Sequence, residues 1–89
     1  MNFTFDPVKD TANQAKHGVL LALAARLEWG LALVWTDTRQ NYGEVRHSAL
    51  ALLGERVFFV AFVDRGEGRR VISLRKANYK GVAIYAANN

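Results

Sequence analysis

The chain has 89 residues, 51% of them hydrophobic, with 12 Lys and Arg against 8 Asp and Glu and no cysteine. A chain this short leaves roughly 40% of its unfolded surface exposed after folding, so one core and a single domain over residues 1–89 are expected, without room for a separate cofactor domain. The absence of cysteine excludes disulfide frameworks and thiolate zinc sites, and two histidines, His17 and His47, make a poor remaining ligand set.

Uncharged stretches such as Gly18–Ala25, Trp29–Thr36 and Gly81–Asn89 stop at nine residues or fewer, against the roughly 20 that a membrane-spanning helix needs. Met1–Asp6 lacks the basic start and apolar block of a signal peptide. The expected compartment is the cytoplasm, with no membrane partner.

Charge is divided unevenly. Residues 1–44 carry Lys9, Lys16, Arg26 and Arg39 against Asp6, Asp10, Glu28, Asp37 and Glu44, a net −1. Residues 45–89 carry six arginines and two lysines against Glu55, Asp64 and Glu67, a net +5. Arginine suits bidentate contact with phosphate or carboxylate, so a polyanion or an acidic protein is the partner class this half points to. A solvated basic surface that keeps a small protein soluble accounts for the same charge.

In chain order, Phe3-Thr4-Phe5 alternates like a short edge strand, and Asp6-Pro7 stops it. Asp at an N-cap followed by Pro at the first helical position starts a helix, because Asp accepts an orphan N–H and Pro has none to satisfy. That helix is expected to run from Pro7 to about His17, with Val8, Ala12 and Ala15 on one face and Gly18 as its left-handed cap. Leu20–Leu27 has strong helix formers and almost no polar face, which predicts a short, mostly buried second helix ended by Gly30.

Leu31–Thr36, Glu44–Leu53, Arg56–Val63 and Arg70–Lys76 read as four strands. Their short links through Gly54-Glu55 and Asp64–Arg69 require antiparallel neighbours and so a meander. Phe58–Val63 is apolar on both parities, as a central strand covered on both faces or an interface would be. Trp29, Trp35, Phe58, Phe59 and Phe62 read as core. Ala77–Ala87 can close the chain as a short helix, at a cost of about 1 kcal/mol for Gly81. The expected fold is α+β: an antiparallel four-stranded sheet with two N-terminal helices on one face and a short N-terminal edge strand.

Strand alternation then separates the two faces. In Arg70–Lys76, Ile72 and Leu74 are expected toward the helices, leaving Val71, Ser73 and Arg75 opposite. In Glu44–Leu53, Glu44, Arg46 and Ser48 share the open side, and His47, Ala49 and Ala51 the covered one. With Arg65 and Arg39 in flanking loops, one carboxylate and several guanidiniums can converge on a single concavity that would hold a phosphodiester. Taken singly, each arginine reads first as a surface ion pair worth at most about 1 kcal/mol, and Glu44 beside Arg46 reads also as a structural pair. His17 reads either as a helix C-terminal residue favoured by the dipole or as a general base.

Four blocks of the chain resemble the BrnT family, the ribonuclease toxins of BrnT/BrnA type II toxin–antitoxin modules, which have a RelE-like fold. They are Phe3-x-Phe5-Asp6-x-x-Lys9 with Asn13-x-x-Lys16-His17-Gly18-Val19, then Arg39-x-x-x-Gly43-Glu44-x-Arg46, then Gly54 through the apolar strand to Asp64-Arg65, and Arg70–Ala77. The chain departs from the family at Phe5, Leu21 and Val63. It departs most after Ala77, where Asn78–Tyr85 replaces a helix rich in Glu and Arg that ends in Tyr.

The resemblance implies cofactor-free, metal-independent endonucleolytic cleavage of RNA that inhibits translation. It also implies neutralisation by a cognate BrnA-like ribbon-helix-helix antitoxin, with operator DNA bound only through the joint complex. If RNA is the substrate, Glu44 is expected as the base, with Arg46, Arg65 and Arg75 stabilising the charge on phosphorus. Lys16, His17, Arg39, Arg70, Lys76 and Tyr85 are the substrate contacts, with Lys16-His17 or Tyr85 as an acid. The residues by themselves also fit a non-catalytic basic module that binds an acidic protein partner or nucleic acid.

Overall fold

The computed structural model describes residues 1–88, and its first helix begins where Asp6 and Pro7 direct. Asp6 Oδ1 accepts the Val8 N–H at 2.9 Å, and Gly18, at φ 69°, returns its own N–H to the Gln14 carbonyl at 2.8 Å. These caps bound α1 at Pro7–His17, with Lys16 and His17 in the last turn.

The second predicted helix takes a different form. Leu21–Arg26 is a 3₁₀ turn, followed by another at Trp29–Leu31. The reason lies in the spacing: Leu21, Ala24 and Leu27 are the buried residues, and a period of three lines up on one side of a helix with three residues per turn. Asp10 fixes its start by accepting the Leu21 N–H at 2.8 Å.

Five strands, β1 (Asn2–Thr4), β2 (Leu33–Asp37), β3 (Arg46–Leu53), β4 (Arg56–Arg65) and β5 (Gly68–Lys76), form one sheet in the order β1-β5-β4-β3-β2. The antiparallel meander from β2 to β5 is as expected. The four-stranded antiparallel sheet is corrected by β1, which pairs parallel with β5 and makes a five-stranded mixed sheet. Both hairpins turn on Gly-Glu: Gly54 at φ 61° and Gly66 at φ 57° supply the positive φ that a two-residue turn places first. The second link is therefore shorter than the six residues read from sequence.

One irregularity resets the face assignment. Ala61 pairs with Ser73 but Phe62 with Val71, so Ile72 is an extra residue in β5. The bulge turns Val71 into the core beside Leu74, and the expectation that Ile72 points there while Val71 faces outward is corrected.

One face of the sheet, through Ala49, Ala51, Phe58, Val60, Phe62, Val71 and Leu74, packs under Val19, Leu21, Ala24 and Leu27. Beside it, Arg69 makes a two-point contact with Asp64 at 2.6 and 3.0 Å and lies over the Trp29 and Phe62 rings.

The other face is partly covered by α2 (Tyr79–Ala87), so helices occupy both sides. Asn78 caps α2 by accepting the Gly81 N–H at 2.9 Å. A Cβ at position 81 would stand 3.2 Å from Ala77 Cβ and 3.4 Å from Leu50 Cδ2, so the glycine that weakens the helix also lets it approach the sheet. Among the described residues no helix is long and apolar enough to cross a membrane.

Asn13 is a polar residue of α1, yet it is only 5% exposed. Beyond the short β1, the edge of β5 has no strand neighbour among the described residues, and Asn13 takes its place. Its Nδ2 donates to the carbonyls of Val19 and Leu74, both at 2.8 Å, and its Oδ1 accepts the Leu74 N–H at 3.1 Å. One side chain thus satisfies three buried backbone groups and locks α1 to β5.

Candidate functional site

Three rows of residues cross the face that α2 covers only in part. Asp37 pairs with Arg46, and Val63 with Arg70, in the first. Trp35, Ser48, Ala61 and Ser73 form the second, and Leu33, Leu50, Phe59 and Arg75 the third. Alternation thus places Arg46, Ser48, Ser73 and Arg75 on this face, as expected. It puts Lys76 on the opposite side, paired with Phe58 and away from Arg75.

At the first row, Asp37 organises the β2–β3 loop. Arg39 donates to its two carboxylate oxygens at 2.9 Å each, the Arg39 amide adds a third bond at 3.1 Å, and the Tyr42 hydroxyl a fourth at 3.2 Å. These bonds, led by that of the Arg39 side chain, hold the Asp37 carboxyl far below its usual range and raise the Arg39 guanidinium correspondingly. The same loop carries Tyr42 under Arg46, with the guanidinium carbon 3.9 Å from the ring centroid. Arg46 Nε is buried, and among the described residues it has no hydrogen-bond partner. Glu44 accepts two bonds from Arg65 Nη2, at 2.9 and 3.1 Å, so its carboxylate is already engaged. A hollow of about 580 Å³ lies between Asp37 and Glu44, lined by Tyr42 and the loop.

The third row ends at a second group. Asn13 and His17 are four residues apart on α1 and so share a face, and Asn13 is bonded to Leu74, the neighbour of Arg75. His17 is held below the ordinary imidazole value of 6.5, first by desolvation and then by the charges of Lys16 and Arg75. A cavity of about 210 Å³ opens here, lined by Lys9, Lys16, His17 and Ser73 among others. Arg75 itself lies 4.6 Å over the Phe59 ring.

The predicted residues therefore gather in two places instead of one hollow. Arg39, Glu44, Arg46, Arg65 and, by row, Arg70 belong to the first. Lys16, His17 and Arg75 belong to the second. From Arg75 to Arg46 the sheet runs two strands across and four residues along, roughly 17 Å between Cα atoms at ordinary strand spacing. Parity assigns a residue to a face; only the pairing register sets its distance from another residue on that face. Tyr85 is turned inward, 7% exposed, with its hydroxyl donating to the Leu31 carbonyl at 3.2 Å, so it fastens α2 to the sheet.

Sequence reasoning missed Asp37 and Tyr42, which set the loop geometry. The Asp37-x-Arg39 spacing at a strand end was the available signal. It also read Trp35 as core, whereas the residue is 40% exposed, on this face. Among the described residues no three His, Asp or Glu side chains gather closely enough to hold a metal ion.

The comparisons with known proteins bear on what such a basic face does. No curated protein matches the chain. The family model described as ribonuclease toxin, BrnT, of type II toxin–antitoxin system matches residues 5–80 and so takes in both groups and the whole sheet from β2 onward, stopping at the start of α2. A match over that much of an 89-residue chain settles its kinship: it belongs to the BrnT family of type II toxin–antitoxin ribonuclease toxins.

Proposed function

We propose that this chain is an active endoribonuclease toxin that inhibits translation by cutting RNA in the cytoplasm, with the chemistry centred on His17 and Arg75. The observation that carries the reading is the cavity of about 210 Å³ where Lys16 and His17 of α1 meet Ser73 of β5, with the imidazole held below 6.5 by desolvation and by the charges of Lys16 and Arg75. A neutral imidazole can take a proton, and neighbouring cations can stabilise a phosphorane that gains negative charge.

RNA supplies its own nucleophile, so no metal-activated water is needed. His17 takes the proton from the 2′-hydroxyl as O2′ bonds to phosphorus, and the bond from phosphorus to O5′ breaks. Lys16 returns a proton to the departing oxygen, leaving a 2′,3′-cyclic phosphate and a 5′-hydroxyl. Arg75 bears on the phosphoryl oxygens. Arg46 and Arg70, one end of the face away, hold the neighbouring backbone, with Arg39 and the Glu44–Arg65 pair shaping that end.

A second arrangement keeps Glu44 as base, with Arg46 and Arg65 about it, and is favoured by the large hollow beside Glu44. The two separate cleanly. The first predicts that His17→Ala abolishes cleavage of RNA and growth inhibition while Glu44→Gln retains most of both. The reverse pattern in folded variants moves the chemistry to Glu44. Loss of neither refutes both.

The family implies an antitoxin and an RNA target. We infer a cognate BrnA-like ribbon-helix-helix protein as that antitoxin, reaching operator DNA only as part of the joint complex. Co-expression with the product of the adjacent reading frame should restore growth.

A further inference from the structure

Trp35 is an exposed aromatic set among cations. It stands on the partly open face, in the row between the two basic groups, and is 40% exposed. Its ring is 6.0 Å from that of Phe59, tilted by 59°, and Phe59 is itself covered by the Arg75 guanidinium at 4.6 Å. Trp35 also divides two hollows. One, of about 210 Å³, lies toward Asp37, Arg39 and Ser48. The other, of about 170 Å³, lies toward α2, with Arg75, Lys80 and Ile84 in its wall. Both are below the roughly 300 Å³ at which drug-sized pockets begin, so each has room for one planar ring system.

We propose that Trp35, backed by Phe59 and Arg75, is a stacking platform for an unpaired RNA base. The proposal rests on the RNA reading above and names how that substrate is gripped. Charge selects the occupant. The hollow toward α2 has Arg75 and Lys80 and no carboxylate in its wall, and the one carboxylate on the other side, Asp37, is already held by Arg39. An aromatic face set among cations suits a base with phosphates on either side, since every base has a π-face and every linkage a negative charge. The family match ends at Lys80, so Gly81 and Ile84, on the α2 side of the platform, lie outside the matched region. Base preference should therefore depend on a segment outside the matched region.

The test uses the full chain and a fluorescein-labelled 2′-O-methyl octanucleotide, which has no free nucleophile and survives the assay, beside an abasic octamer with the same phosphates. Wild-type protein should bind the base-bearing probe more tightly. Trp35→Ala should weaken that binding roughly 5- to 150-fold, the range for loss of one aromatic stack, and leave the abasic probe unchanged. Trp35→Phe should stay within about threefold of wild type.

Equal losses for both probes, or unchanged affinity in a folded Trp35→Ala, overturn the platform. So does a Trp35→Ala that loses only antitoxin binding, which would give the surface to a protein partner. Cleavage of RNA by the wild type, run in parallel, keeps the two levels apart. If RNA is cut and Trp35→Ala binds normally, the platform alone falls; if RNA is neither bound nor cut, the RNA reading falls with it. Should Trp35→Ala not fold, quenching of tryptophan emission by the octamer reads the same stack. It should be present in wild type and lost in Trp35→Phe, which keeps Trp29, and its absence in wild type overturns the proposal.

Discussion

Replacing Asn13 with Ala removes three hydrogen bonds from the interior and leaves the Leu74 N–H, the Leu74 carbonyl and the Val19 carbonyl without their partner. A buried group left unsatisfied costs about 1–3 kcal/mol, so the three together amount to about 3–5 kcal/mol after some relaxation toward water at the sheet edge. A domain of this length has about 4–13 kcal/mol in total, so the variant should stand near the limit of folding. With a urea slope of about 1.5 kcal/mol per M, the midpoint should fall by 2–3 M on that order. Asn13→Asp should do no better, since it retains the acceptor for Leu74 N–H but turns a carboxylate toward two carbonyls. Equilibrium urea unfolding followed by circular dichroism, with Leu74 amide exchange as a local probe, measures both. A loss below about 1 kcal/mol in Asn13→Ala would refute the idea that this side chain substitutes for a missing strand.

Other consequences are open to equally direct measurement. If His17 is the base, the single-turnover cleavage rate should rise with pH through a value below 6.5 and then level off; a rate that keeps climbing well above pH 7 would exclude it. The same depressed value means that the unfolded chain binds the proton first, so His17 should cost stability as pH falls below 6.5, and His17→Gln should flatten that part of the pH–stability curve. Asp37, whose pKa is lowered below the ordinary 3.8, contributes stability above that value which is lost only as pH falls through its much lower folded value; Arg39→Gln should bring acid unfolding to higher pH. Gly81→Ala gains about 1 kcal/mol of helix propensity yet must fit a methyl 3.2 Å from Ala77 Cβ, so no rise in melting temperature is expected; a rise of several degrees would show that α2 has slack against the sheet.

Local signals in the sequence were read correctly where local chemistry decides the outcome. Asp6-Pro7 and Gly18 bounded α1, and alternation placed Arg46, Ser48 and Arg75 on one face. What escaped depends on contacts between distant segments. The parallel pairing of β1 with β5 has no turn to announce it, and the bulge at Ile72 is invisible in an alternating run. Asn13 looks like any polar helix residue until a bare strand edge meets it. The site shows the same division: the charged residues were legible individually, and their separation into two groups followed from a register that sequence does not print.

The partnership of residues 2–4 with 68–70, together with the Asn13 clamp on Leu74, has a consequence for biosynthesis. The head of the chain is fastened to its last strand, and such distant contacts are the slow ones to form. On a ribosome residues 2–4 must wait, unpaired, until residues 68–70 have emerged. In the reading proposed above, His17 and Arg75 come together only when β5 docks, so a product that stops before β5 would have no assembled centre for cutting RNA.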